Sequence, residues 1–160
     1  MLPESILIVC SDFVEMAAIS CMLSEHHVVV TAHNLDGAMR LLNRPNSCRL
    51  AYYEVGDDAE AAREGIHRLG NAGMEVVALF RPPCPQLVCE AAASGRIQGY
   101  CQMPICVESF LVQSREIMRR VCPVQNDDRP QPCLLTNEEV QFLLGREAGC
   151  KSGPCFRFMD

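Results

Sequence analysis

The sequence predicts a doubly wound α/β fold, with five parallel strands and helices on both faces of the sheet. Two observations predict it. Short apolar runs alternate with longer stretches of helical apolar spacing, and the pair recurs five times within about 120 residues. The short runs are continuously apolar and rich in β-branched residues, as strands buried on both faces are. Strands separated by helices build βαβ units, whose strands run parallel under a cover of helices.

Each element has a local reason. Ile6-Leu7-Ile8-Val9 reads as a buried strand. Over residues 14–23 the spacing turns helical, with Ala17, Ala18, Cys21 and Met22 able to share a face. Val28-Val29-Val30 is a second strand. Asn34 or Asp36 caps a helix through Ala38, Leu41 and Leu42, and Arg44-Pro45-Asn46-Ser47 breaks it. Residues 50–55 form a third strand, Gly56-Asp57-Asp58 turns, and a helix covers 59–69. Gly70-Asn71-Ala72-Gly73 ends that helix, and residues 76–80 form a fourth strand. Arg81-Pro82-Pro83-Cys84-Pro85 is a rigid loop before a helix at 86–94. Residues 97–101 make a fifth strand and 107–121 a fifth helix. These units suit the flavodoxin-like strand order 2-1-3-4-5, in which chemistry sits beyond the carboxyl ends of the strands.

Composition narrows the function classes. The chain has 160 residues, enough for one domain and a short appendage, and 49% are hydrophobic, enough for a core. A net charge of −6 argues against broad attraction to nucleic acid, which needs a basic face. No apolar run approaches the ~20 residues of a membrane span. No basic leader precedes the first strand, so a cytoplasmic protein with no membrane contact is expected. Eleven cysteines, an odd number, do not suggest a complete disulfide framework. Cys10, Cys21 and Cys89 lie inside apolar patterns, so most cysteines are expected to be small buried hydrophobes.

The segment Gly99-Tyr100-Cys101-Gln102-Met103-Pro104 follows an alanine-rich helix and precedes another helical pattern. With Ile6-Leu7-Ile8-Val9 entering an acidic turn, and with the run Ala32 through Leu42, it resembles a response-regulator receiver domain over residues 2–121. The resemblance implies five groups at the strand ends: two acids that hold Mg²⁺, an aspartate that accepts phosphate, a hydroxyl, and a lysine. Counted onto this sequence, the acids fall at Cys10 and Ser11, or at Ser11 and Asp12 after a one-residue shift. The acceptor falls at Glu54, the hydroxyl at Phe80 and the lysine at Met103. Glutamate is one methylene too long, Phe80 has no donor, and a thioether cannot pair with a phosphoryl group. The pocket therefore reads as degenerate, with Phe80 and Met103 expected to close it with apolar bulk and Arg81 placed to pair with Glu54. Tyr100 matches the strand-5 aromatic, next to Pro104, on a face that the family uses to meet partners. The expectation is a phosphorylation-independent, non-enzymatic module with no cofactor. It would act by protein–protein contact, including a homodimer through helices 4 and 5. A displaced acceptor at Asp57 or Asp58 stays open as an alternative.

Residues 122–133 read as a proline-rich linker and 134–160 as a short helical tail. Thr136 with Glu139 forms a capping box. The segment resembles the opening of a LuxR-type helix-turn-helix domain, which implies a role in transcriptional regulation. Too little chain follows for a recognition helix, so DNA contact through this chain alone is not expected. The pairs Cys84/Cys89, Cys101/Cys106 and Cys150/Cys155 each enclose four residues, near the spacing of zinc ligands. Cys150 and Cys155 are the best candidates for a zinc or redox sensor, with Cys122 or Cys133 needed to complete a site. His26, His27, His33 and His67 show no ligand spacing. No phosphate loop, dinucleotide fingerprint or nucleophile elbow appears.

Overall fold

The computed structural model describes residues 5–45 and 48–121. They run β1 (Ser5–Val9), α1 (Phe13–Leu23), β2 (Val28–Ala32), α2 (Leu35–Leu42), β3 (Cys48–Glu54), α3 (Ala59–Asn71), β4 (Glu75–Phe80), α4 (Gln86–Ala93), β5 (Gly99–Gln102) and α5 (Val107–Val121). All strand pairs are parallel, in the order β2-β1-β3-β4-β5. This is the doubly wound, flavodoxin-like arrangement expected from the sequence.

Successive strand side chains point to opposite faces, so each strand feeds two cores. Leu7, Val9, Ala51, Tyr53, Ala78 and Phe80 pack with Ala38 of α2, Ile66 and Leu69 of α3 and Val88 of α4. Ile8, Tyr52, Leu79, Cys101 and Met103 pack on the other side with Ile19 of α1 and with Phe110 and Ile117 of α5. One polar pair crosses the second core: the hydroxyls of Tyr52 and Ser114 meet at 2.7 Å, both buried. Burial pushes the Tyr52 phenol well above its ordinary range, so that hydroxyl stays neutral.

Several boundaries differ from the sequence reading. Asn34, not Asp36, caps α2, its side chain accepting from the Gly37 N–H at 2.8 Å. Helix α3 runs through Gly70 to Asn71, and the chain turns at Gly73, whose φ of +84° suits glycine. Ile97 lies outside β5 yet is 3% exposed, so it plugs the core instead of pairing in the ladder. Helix α1 buries Met16, Ile19 and Leu23 and exposes Ala17, Ala18 and Cys21. The face assigned from sequence is therefore mostly the solvent face. The cysteine expectation also needs correction. Of the seven described, Cys10 and Cys101 are buried, Cys48 is intermediate, and Cys21, Cys84, Cys89 and Cys106 are exposed. The linker 122–133 and the tail with Thr136, Glu139, Cys150 and Cys155 lie outside the described residues.

Candidate functional site: the carboxyl ends of β1, β3 and β4

The adjacency of β1 and β3 sets the site. Val9 stands opposite Tyr53, so the residues that follow β1 meet the last residue of β3, Glu54. Ser11 donates twice to one carboxylate oxygen of Glu54: its backbone N–H at 2.6 Å and its hydroxyl at 2.8 Å to Oε2. Hydrogen bonds to an ionised acceptor are among the stronger ones. Glu54 is half-buried, neither sealed under apolar bulk nor unpartnered.

Asp12 works in the other direction. It caps α1, with Oδ1 accepting from the N–H groups of Val14 at 2.9 Å and Glu15 at 3.2 Å. Its second oxygen, Oδ2, takes the guanidinium of Arg81 at 2.6 Å. The Glu15 N–H, followed by the Val14 N–H and Arg81, holds the Asp12 carboxyl below the usual aspartate range. The sequence reading placed Arg81 against Glu54. The structure places it against Asp12, because Asp12 turns back over the start of α1 toward the end of β4. The cap was legible: an aspartate directly before a helical run is an N-terminal signal.

The remaining three positions are buried. Cys10 is 1% exposed, and burial pushes its thiol up to about 12, with the Glu54 charge adding to the rise. Met103 is 0% and Phe80 5% exposed, but they do not share a pocket. Phe80 belongs to the core under α2, α3 and α4, and Met103 to the core under α1 and α5. Only their backbones meet, the Met103 N–H donating to the Phe80 carbonyl at 2.7 Å. The expected joint closure of the pocket is thus replaced by two separate burials on opposite faces. The Phe80 ring instead packs on Tyr100, centroids 5.9 Å apart, and Tyr100 remains 43% exposed. Beyond Pro104, the Ile105 N–H donates to the Glu15 carboxylate at 3.1 Å, tying the β5–α5 loop to α1.

These residues do not fit a magnesium ion. Mg²⁺ demands hard oxygen ligands in near-octahedral order. One Glu54 oxygen is already engaged by Ser11, Asp12 is committed to a helix cap and a cation, and Cys10 presents a buried neutral thiol. Among the described residues, no group of three or more His, Cys, Asp or Glu side chains could hold a metal. Of the alternative acceptors Asp57 and Asp58, both exposed, Asp58 caps α3, its Oδ1 accepting from the N–H groups of Glu60 and Ala61.

No family model and no curated protein matches this sequence. Solved structures do. A response regulator from Thermotoga maritima superposes with a TM-score of 0.64 at 18% identity, covering 73% of this chain and 98% of that one. The signal receiver domain of an HD domain-containing protein from Pseudomonas fluorescens gives 0.63 at 19% identity, covering 74% and 96%. A structure described as an adenylate cyclase from Rhodopirellula baltica gives 0.68 at 15% identity, covering 79% and 96%. The likeness shows that the described residues have the receiver fold.

Proposed function

We propose that this chain is a receiver-like signalling module that accepts no phosphoryl group and works by standing contact with a protein. The observation that carries this reading is the double donation from Ser11 to Glu54. The position where a phosphoacceptor would attack is held as a spectator, satisfied by a neutral neighbour and next to a closed Asp12–Arg81 pair. Neither a metal nor a lysine is needed to balance it.

The contact surface is the β5–α5 side together with α4. Tyr100, Val107 and Val112 are large apolar or aromatic residues exposed there by 43%, 54% and 70%. The Gln113 side chain holds this side in one form, donating to the Tyr100 carbonyl at 2.7 Å and accepting from the Cys101 thiol at 2.9 Å. With Phe80 packed beside it, Tyr100 stays outward, and no phosphoryl event moves it. A second copy of this chain is the simplest partner. The setting is transcriptional control in the cytoplasm. That part rests on the likeness of residues 134–144 to the opening of a LuxR-type module, with DNA reached through a partner and not through this chain alone.

The test is spectroscopic. With Mg²⁺ and beryllofluoride, the amide resonances of Ser11, Glu54 and Tyr100 are expected to stay in place; shifts at all three would overturn the reading. Sedimentation equilibrium is expected to give a dimer that Val112→Asp weakens, with the same profile whether or not an acyl phosphate is present. Dimerisation that requires the phosphodonor would contradict it.

A further inference from the structure

Outside this site, two exposed thiols stand together at the entry to α4. The Sγ atoms of Cys84 and Cys89 are 3.7 Å apart, and both residues are exposed. Cys84 is the last residue before Pro85, the N-cap, and Cys89 lies one turn inside the helix. Pro82, Pro83 and Pro85 restrict the backbone that presents Cys84. A disulfide needs the sulfurs at about 2.05 Å. From 3.7 Å the two sulfurs have only to draw closer for the bond to form.

We propose that Cys84 and Cys89 form a reversible disulfide, a dithiol redox site that closes the β4–α4 loop onto α4. The oxidant is a hydroperoxide or a small-molecule disulfide. With a hydroperoxide, one thiolate attacks the outer oxygen, the O–O bond breaks, and an alcohol or water leaves. The resulting sulfenic acid is displaced by the second sulfur, an S–S bond forms, and the oxygen departs as water. The pair gives up two protons and two electrons. With a disulfide such as oxidised glutathione, the same two electrons reduce it to two thiols through a mixed disulfide.

The bond has a structural consequence. Helix α4 spans eight residues and starts with no side-chain cap, and helices this short are marginal alone. A covalent link from the residue before the cap to the second turn fixes the start of α4 and the loop that carries Arg81. Desolvation, followed by the neighbouring Cys89 sulfur, pushes the Cys84 thiol up, and because the thiolate is the attacking form, closure of the bond is expected to be faster as pH rises.

Trypsin gives a clean test on the full chain. Arg81 precedes a proline and resists cleavage, so residues 69–96 emerge as one peptide with Cys84 and Cys89 as its only cysteines. After treatment with hydrogen peroxide or oxidised glutathione and blocking with N-ethylmaleimide, that peptide is expected to be unblocked and two hydrogen atoms lighter. The change is expected before the isolated, exposed Cys21 is consumed, and dithiothreitol is expected to reverse it. In Cys84→Ser and Cys89→Ser, the remaining thiol is expected to end as a maleimide or glutathione adduct. A wild-type peptide with both cysteines blocked while Cys21 is oxidised would overturn the proposal. So would two independent adducts in place of the internal bond.

Discussion

Glu54 ends β3 with one oxygen committed to Ser11, so its removal strands two donors. Those bonds are exposed, which puts them at the low end for charged hydrogen bonds. Glu54→Ala is expected to cost about 1 kcal/mol in urea unfolding, and Glu54→Gln clearly less, because an amide oxygen still accepts. Equal losses in the two variants would mean that the hydrogen bonds are not what Glu54 provides. Asp12 makes a pH prediction. Its carboxyl is held down in the fold, so folding favours the ionised form. The stability it adds is complete above the unfolded value of 3.8 and fades as pH falls through the depressed folded one. Thermal midpoints of Asp12→Asn are expected to lie below wild type at neutral pH, and to converge with it toward the acid end. A gap that stays constant with pH would contradict the assignment. The residue identities at these positions were plain in the sequence. The partners were not. Arg81 is adjacent in sequence to the end of β4 and reaches Asp12 across 69 positions, a choice set by how the β1–α1 turn folds back.

At the scale of elements, two contacts lock helices to the sheet. A methyl group on Gly65 of α3 would run into the ring and hydroxyl of Tyr53, with Cε1 at 2.7 Å. Gly65→Ala is expected to cost about 1–3 kcal/mol despite alanine's better helix propensity. Adding Tyr53→Leu is expected to recover part of that loss, which a double-mutant cycle in urea would register. On the other face, Ser114→Ala leaves the buried Tyr52 hydroxyl without a partner, at about 1–3 kcal/mol. Tyr52→Phe combined with Ser114→Ala is expected to be milder than the single Ser114 change. Elements with a clear polar–apolar contrast, such as α3 and α5, could be placed from sequence. Helix α1 could not be oriented, because Phe-Val-Glu-Met-Ala-Ala-Ile-Ser-Cys-Met-Leu is apolar nearly all round and gives no periodic contrast. Strand β5 slipped because Ile97 looks like a strand residue while serving as a plug ahead of the ladder.

For the whole molecule, strand order and layering were legible, since five parallel units admit few arrangements. What sequence reading overlooked was the parity of the sheet. Phe80 shares a face with Ala78 and Val76, and Met103 shares one with Cys101, on opposite sides. Counting by twos along β4 and β5 separates them. Phe80 and Met103, which the resemblance sets at the hydroxyl and lysine positions, each add apolar burial to a different layer. No described helix is long and apolar enough to cross a membrane, and the net charge of −6 disfavours a polyanionic partner. The most direct measurement is the intact mass of the full chain after incubation with Mg²⁺ and an excess of acetyl phosphate. The predicted result is an unchanged mass for wild type and for Glu54→Gln alike. Gain of one phosphoryl group by wild type, lost in Glu54→Gln, would contradict the central claim.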